Sequence, residues 1–403
     1  MIIHRTYLGT WFPRTSIHLK ELFRFLRAQE GLEGLDPKKI RDLQAHLSIS
    51  AVTLHEESDA DYLEAVFPGG EFAMTEEGIL TIKNDRPIET HDHEFQQVKN
   101  FLMEAYTERF GPAISYLYSR GAPIPRDLTD SKTVLPFITV ISHATDADVE
   151  HLFASCGEKE TSAVTGEILE IHRSPSLTVL RFKNDKPHPE ALEAFVRHDI
   201  FFREFEFQLE EYLGLHRTHW EKISQIRESQ ELRYRDFPVM RKRLLEMRRT
   251  ITYVEARLMQ MHDILKERES TLSKEDAVIL KKYGLNRFAP LESAQEYTKH
   301  LWDMTLQYLD GTITLLHTLY EENTQRELAI IKVTTFVAAL TGFFGMNIAF
   351  PWDAEWGALQ ADSYAVAFVI FTGAALFYLL LKIGLLNRRF IIGENEHPLD
   401  PIQ

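Results

Sequence analysis

Apolar and polar positions along the chain follow three successive rhythms. Up to about residue 190, short β-branched runs alternate with turn residues, the period-two signature of strands. Ser48-Ile49-Ser50-Ala51-Val52-Thr53-Leu54 leads into Asp59-Ala60-Asp61, and Phe137-Ile138-Thr139-Val140-Ile141 leads into Asp146-Ala147-Asp148 in the same way. Farther on, Gly78-Ile79-Leu80-Thr81-Ile82-Lys83-Asn84-Asp85-Arg86-Pro87 is echoed by Leu177-Thr178-Val179-Leu180-Arg181-Phe182-Lys183-Asn184-Asp185-Lys186-Pro187. Each copy predicts a strand, a short helix, further strands and a longer amphipathic helix. Residues 1–190 therefore read as an α/β domain made from a duplicated α/β unit, two half-domains sharing one sheet.

The second rhythm is helical. Over 191–290, Pro238 after Asp236-Phe237 fits a helix restart, because proline is tolerated in a first turn. Ser273 with Asp276 three residues later marks another start, and Tyr283-Gly284-Leu285 and Ala289-Pro290 break the pattern. A last helix begins near Leu291. Trp302, Leu306, Leu309, Ile313, Leu316 and Tyr320 recur at spacings of four and three, and Leu301, Thr305, Tyr308, Thr312, Leu315 and Leu319 repeat them one residue earlier. Two adjacent stripes make a wide apolar face suited to an oligomeric bundle. We read 291–327 as a stalk that runs on without a breaker to Asn347, roughly 85 Å at ~1.5 Å per residue.

The third rhythm is an apolar run with little else. Leu328 to Met346 is interrupted only by Lys332, and Tyr364 to Leu381 carries no charge. Each approaches the ~20 residues that cross a bilayer. They predict transmembrane helices over 328–347 and 364–386, an external loop over 348–363 and a tail over 387–403. The loop holds Asp353, Glu355 and Asp362 without Lys or Arg, whereas Lys382, Arg388 and Arg389 follow the second run. The positive-inside rule then places both termini in the cytoplasm of a multi-pass protein of the plasma (inner) membrane. The N-terminus shows neither a secretory signal nor a transit peptide.

Composition narrows the function. At 403 residues the chain exceeds one ordinary core. Its formal net charge of −15 disfavours nucleic acid as a partner and suits attraction of cations, or simply solubility. The single cysteine, Cys156, excludes an internal disulfide and a Cys-rich zinc site. The Asp-Ala-Asp pairs resemble cation ligands, but Ser58 and Thr145 stand three residues before Asp61 and Asp148, a capping-box spacing that explains them better. His91-Asp92-His93 lacks the remainder of a zinc set and reads as a solvated turn. The basic cluster Arg241, Lys242, Arg243, Arg248 and Arg249 reads as a solvated helix face. No H-E-x-x-H, G-x-S-x-G, Walker-type or dinucleotide signature is present, so an enzyme is not expected, nor a catalytic cofactor.

Gly345-Met346-Asn347 closes the first apolar run, and the second run follows after a short acidic loop. In that arrangement the chain resembles the CorA family of divalent-cation channels, two-span proteins of the Gly-Met-Asn type. The resemblance covers the last hundred or so residues well and the rest only in general architecture. It implies a funnel-shaped homopentamer in a lipid bilayer, with Mg²⁺ as substrate and possible regulator, and Co²⁺ or Ni²⁺ as further cargo. It implies a selectivity filter of Gly345, Met346 and Asn347. Counted back without gaps, its pore stripe falls on Ala338, Thr335, Ile331, Glu327 and Thr324. The usual mid-helix proline is replaced by Phe336, and Glu327 stands where an apolar residue is commoner. The acidic loop keeps Pro351, Asp353 and Glu355. Asp303 and Asp310 are candidates by position for a regulatory metal. A zinc transporter of the same superfamily and a non-conducting membrane-anchored sensor or scaffold are the alternatives.

Overall fold

The computed structural model describes residues 1–12, 19–27, 35–55, 61–89, 92–118, 135–166, 169–183, 189–228, 232–233, 236–272, 274–283, 286–346, 372–373, 376–380 and 389–390. In chain order the elements are β1 (Ile2–Trp11), α1 (Leu19–Leu26), α2 (Pro37–Leu47), β2 (Ala51–His55), β3 (Tyr62–Phe67), β4 (Gly70–Thr75), β5 (Ile79–Asn84), β6 (Ile88–Glu89) and α3 (Asp92–Glu104). A π-helical stretch, Ala105–Phe110, joins α3 to α4 (Gly111–Tyr118). Then come β7 (Phe137–Ser142), α5 (Asp146–Ser155), β8 (Ser162–Thr165), β9 (Leu169–Arg173), β10 (Leu177–Phe182) and α6 (Pro189–Arg227). The remainder is β11 (Leu232–Arg233), α7 (Phe237–Thr271), α8 (Lys274–Lys282), α9 (Phe288–Met346) and β12 (Arg389–Phe390). Backbone contacts divide the chain into two units, Met1–Leu215 with Thr252–Leu301, and His216–Ile251 with Trp302–Gln403.

In the first unit one mixed sheet of 10 strands has the order β2-β3-β4-β5-β1-β7-β10-β9-β8, with β6 paired to β1. Both halves of the internal repeat lie in this sheet, but they are not equivalent in it. β2 to β5 form an antiparallel meander. β7 and β10 are instead parallel neighbours, and a parallel pair needs a crossover. The crossover begins with α5, started by a capping box: Thr145 accepts from the Asp148 backbone N–H, and the Asp148 carboxylate accepts from the Thr145 N–H at 2.7 Å. Hydrogen bonds to the Asp148 carboxylate hold it below the usual carboxylate range. In the first copy Asp61 leads straight into strand β3, while Ser58 lies outside the described residues. β3 returns antiparallel to β2 and extends the meander, and the residues 56–60 that join them lie outside the described residues.

A continuous apolar core gathers Leu8, Phe72, Ile82, Phe137 and Val179 from the strands with Phe25, Phe95, Phe110 and Phe153 from the helices. The π-helical stretch sets Phe110 against Phe72, stacked at 4.4 Å. α6 supplies other packing partners: Phe205 stacks on Trp11 at 5.6 Å, and Phe201 meets its edge at 5.0 Å. Gly9 of β1 makes this approach possible, since an added Cβ would lie 2.2 Å from Cδ1 of Ile200. Gly78 has φ +87°, and a Cβ there would meet the Phe12 carbonyl oxygen at 1.8 Å.

The second unit contains the rest of α6 and α7, most of α9 and the short β11–β12 pair. Trp302 is fully buried, with the His216 ring edge-on at 5.6 Å. Trp220 stacks on Tyr308 at 4.7 Å, and Arg227 lies over Tyr308 at 4.7 Å. Leu309, Thr312 and Leu316 are buried, so the stripe read from sequence packs inside the single chain.

α9 starts at Phe288, three residues before the expected Leu291, with Pro290 tolerated in its first turn. One expectation is overturned. Among the described residues no helix is long and apolar enough to cross a membrane. The two C-terminal transmembrane helices, 328–347 and 364–386, are therefore corrected, and with them the multi-pass placement in the plasma membrane. Over 328–346 the chain is the last part of a 59-residue helix that carries Lys332 and three threonines. Of 364–386 the structure describes only 372–373 and 376–380.

Candidate functional site

Gly345 and Met346 form the last turn of α9, and Asn347, Asp353 and Glu355 lie outside the described residues. The stripe assigned to an ion path runs along one helix. Thr324 and Glu327 are half-buried, while Ile331, Thr335 and Ala338 are exposed. Thr324 donates its hydroxyl to the Tyr320 carbonyl at 3.0 Å. Leu328, Ile331, Val333 and Phe336 are 47–65% exposed in the single chain. Apolar residues on so many faces of a helix call for a covering partner. Gly342 has open space where a Cβ would stand.

Of the two stalk aspartates expected to hold a regulatory metal, Asp303 is half-buried. Asp310 accepts from Arg248 of α7 at 3.3 Å, an ion pair with both partners about half exposed. Any cation drawn to Asp310 competes with that guanidinium. Among the described residues no group of three or more His, Cys, Asp or Glu side chains could hold a metal ion.

The sequence reading missed the charged groups that α6 buries in the first unit. Glu204 is 3% exposed, accepting from the Thr10 hydroxyl at 3.0 Å and the Trp11 N–H at 3.4 Å. Burial pushes its carboxyl up to about 7, against the pull of those bonds and of Arg203. Tyr106 is pushed up to about 12, by burial first and by Glu204 second. Arg268 donates to Glu77 and, at 3.3 Å, to Nδ1 of His198, and lies 4.8 Å over the Phe201 ring. Burial and then Arg268 push His198 down to about 3, so it stays neutral and accepts. One signal was available: Arg203 and Glu204 interrupt the aromatic run Phe201-Phe202-Arg203-Glu204-Phe205, and charges inside an apolar face need partners.

A cleft of about 840 Å³ is lined by Gly69, Lys83, Asn84, Arg86 and Phe101 among others. It takes in the Lys-Asn-Asp-Arg-Pro segment of the first repeat, whose groups are mostly committed. Lys83 pairs with Glu71 at 2.8 Å and Asp85 with Arg5 at 3.0 Å. Asn84 donates to the Gly69 carbonyl at 2.7 Å and accepts from the Arg86 N–H at 3.1 Å. These bonds set the turn.

No protein-family model matches the chain, and no curated protein matches it. The likeness to CorA-type proteins therefore stands on Gly345-Met346-Asn347 and its surroundings alone.

Proposed function

We propose that the chain is a divalent-cation channel or transporter that moves hydrated Mg²⁺, with Co²⁺ and Ni²⁺ as further cargo, and works as a homopentamer joined along α9. The observation that carries this reading is α9 itself. It is one helix from Phe288 to Met346, so Gly345-Met346-Asn347 falls at the C-terminal end of a long rigid element. The exposed apolar residues from Leu328 to Phe336 and the open space at Gly342 support contact with further copies.

The chemistry follows from the ion. Mg²⁺ gives up its water reluctantly. A ring of neutral Asn347 amides can hydrogen-bond to the water shell, and without charge it releases the ion again. A ring of Glu327 carboxylates farther down the same helix would raise the local cation concentration. Purified protein reconstituted into vesicles should pass Mg²⁺, in preference to Zn²⁺. Saturable Mg²⁺ binding with no flux would overturn conduction and favour a sensor or scaffold, and a preference for Zn²⁺ would favour the zinc-transporting alternative.

A further inference from the structure

A second, smaller pocket of about 350 Å³ opens where α5 faces the β8–β9 hairpin, lined by Asp146, Glu150, Glu160, Glu170, His172 and Arg181 among others. Its charges do not balance. Arg181 donates to Asp146 at 2.6 Å and to Glu170, which also takes Lys183 at 3.1 Å. Glu150 and Glu160 add two carboxylates against these two cations, leaving the site net negative.

His172 points to what the negative charge serves. The residue is 8% exposed. Its Nδ1 lies 3.2 Å from Oε1 of Glu160. A carboxylate can only accept there, so Nδ1 carries a proton, and in the neutral ring the lone pair falls on Nε2. Nε2 is buried and has no hydrogen-bond partner, and a buried polar atom without a partner is costly. Oε2 of Glu170 stands 3.8 Å from it. That separation is too long for a hydrogen bond, and two acceptors could not form one. It does suit a metal ion held by both at about 2.0–2.2 Å, the range for His nitrogen and carboxylate oxygen on zinc.

We infer that this pocket binds a transition-metal dication of the Zn²⁺ or Co²⁺ kind. Nε2 of His172 and Oε2 of Glu170 are the protein ligands, and Glu160 orients the imidazole. A metal-bound histidine commonly donates its other ring nitrogen to a carboxylate in this manner. Imidazole nitrogen selects Zn²⁺ and Co²⁺ over Mg²⁺, which favours oxygen. Two protein donors are fewer than the three or four of a catalytic or structural zinc centre. Water completes the sphere, with exposed Glu150 on the rim, and the metal exchanges. On binding, Glu170 shifts part of its charge from Arg181 to the ion. The inference is independent of the proposed transport, because a chain that carries no current can still hold the metal.

The test is a titration of the purified full-length chain with Zn²⁺ by calorimetry and with Co²⁺ by visible absorption. Wild type should bind one more equivalent than His172→Gln, with a Co²⁺ band that the variant lacks. Glu160→Gln keeps both ligands and, being a surface change, leaves folding intact. It should weaken the same equivalent about 10-fold or more, as loss of an orienting partner does. A 100-fold excess of Mg²⁺ should not displace the ion. Equal stoichiometry and affinity in all three proteins, or displacement by Mg²⁺, would overturn the assignment. If His172→Gln fails to fold, an unchanged Co²⁺ affinity in Glu160→Gln overturns it as well.

Discussion

Replacing Glu204 with glutamine should make the first unit more stable above neutral pH and leave it almost unchanged in mild acid. The carboxyl is pushed from 4.5 up to about 7 by burial between β1 and α6. Its folded value lies above its unfolded one, so the native state holds the proton more tightly. Its contribution to stability is therefore greatest below pH 4.5, falls between 4.5 and about 7, and is flat beyond. At ~1.4 kcal/mol per pH unit the fall is about 3 kcal/mol, to an order of magnitude. Glutamine keeps an oxygen to accept from Thr10 and Trp11 but brings an amide N–H₂ that needs a partner, a loss of ~1 kcal/mol or more. The net gain at pH 8 should be about 2 kcal/mol. Urea unfolding of both proteins, followed by tryptophan fluorescence from pH 4.5 to 8.5, reads it as the difference between their pH profiles. Parallel profiles would refute the claim that Glu204 ionises at a cost inside the folded unit.

Asn347→Ala should abolish selective Mg²⁺ entry in the vesicle assay while leaving assembly intact, and wild-type flux in the variant would remove the filter assignment. Mg²⁺ should protect α9 from protease, an effect lost when Asp303 and Asp310 are both changed to asparagine. Equal cleavage with Mg²⁺ and EDTA would end the regulatory role of these residues. The accompanying loss of the exposed Arg248–Asp310 pair should cost less than ~1 kcal/mol. Gly9→Ala should destabilise the first unit by about 1–3 kcal/mol through overpacking against Ile200, measured by thermal unfolding, and Ile200→Val in the same chain should restore part of it.

The long helices were legible because their signals are local. Pro238 marks the start of α7, and the Trp302–Leu316 stripe marks the buried face of α9. The capping box at Thr145 was legible for the same reason. Strand order was not. The likeness of Gly78–Pro87 to Leu177–Pro187 says nothing of which neighbours each strand takes, and β5 takes antiparallel β1 and β4 while β10 takes parallel β7 and antiparallel β9. The continuity of 328–346 with the helix begun near Leu291 was expected, but the span itself was read from apolar composition alone, and among the described residues no helix is long and apolar enough to cross a membrane. His172, Glu160 and Glu170 stayed hidden because the loop before β8 and strand β9 bring them together, and their spacings of 10 and 2 match no ligand motif.

The six-residue π-helical stretch between α3 and α4 works as a phase adjuster. Each α-helical residue turns the helix by about 100°, so the wider turn resets which side of the following segment meets the sheet. Forcing Ala105–Phe110 into an ordinary helix without changing its length would rotate α4 by about that angle, because the wider turn absorbs one residue more. Phe110 would leave its stack on Phe72, and the buried side chains of Ala113, Ile114 and Leu117 would turn towards water. At this point in the chain the wider turn carries one residue that an ordinary helix does not need, so a single deletion within Ala105–Phe110 leaves α4 in phase, whereas a deletion within α4 itself does not.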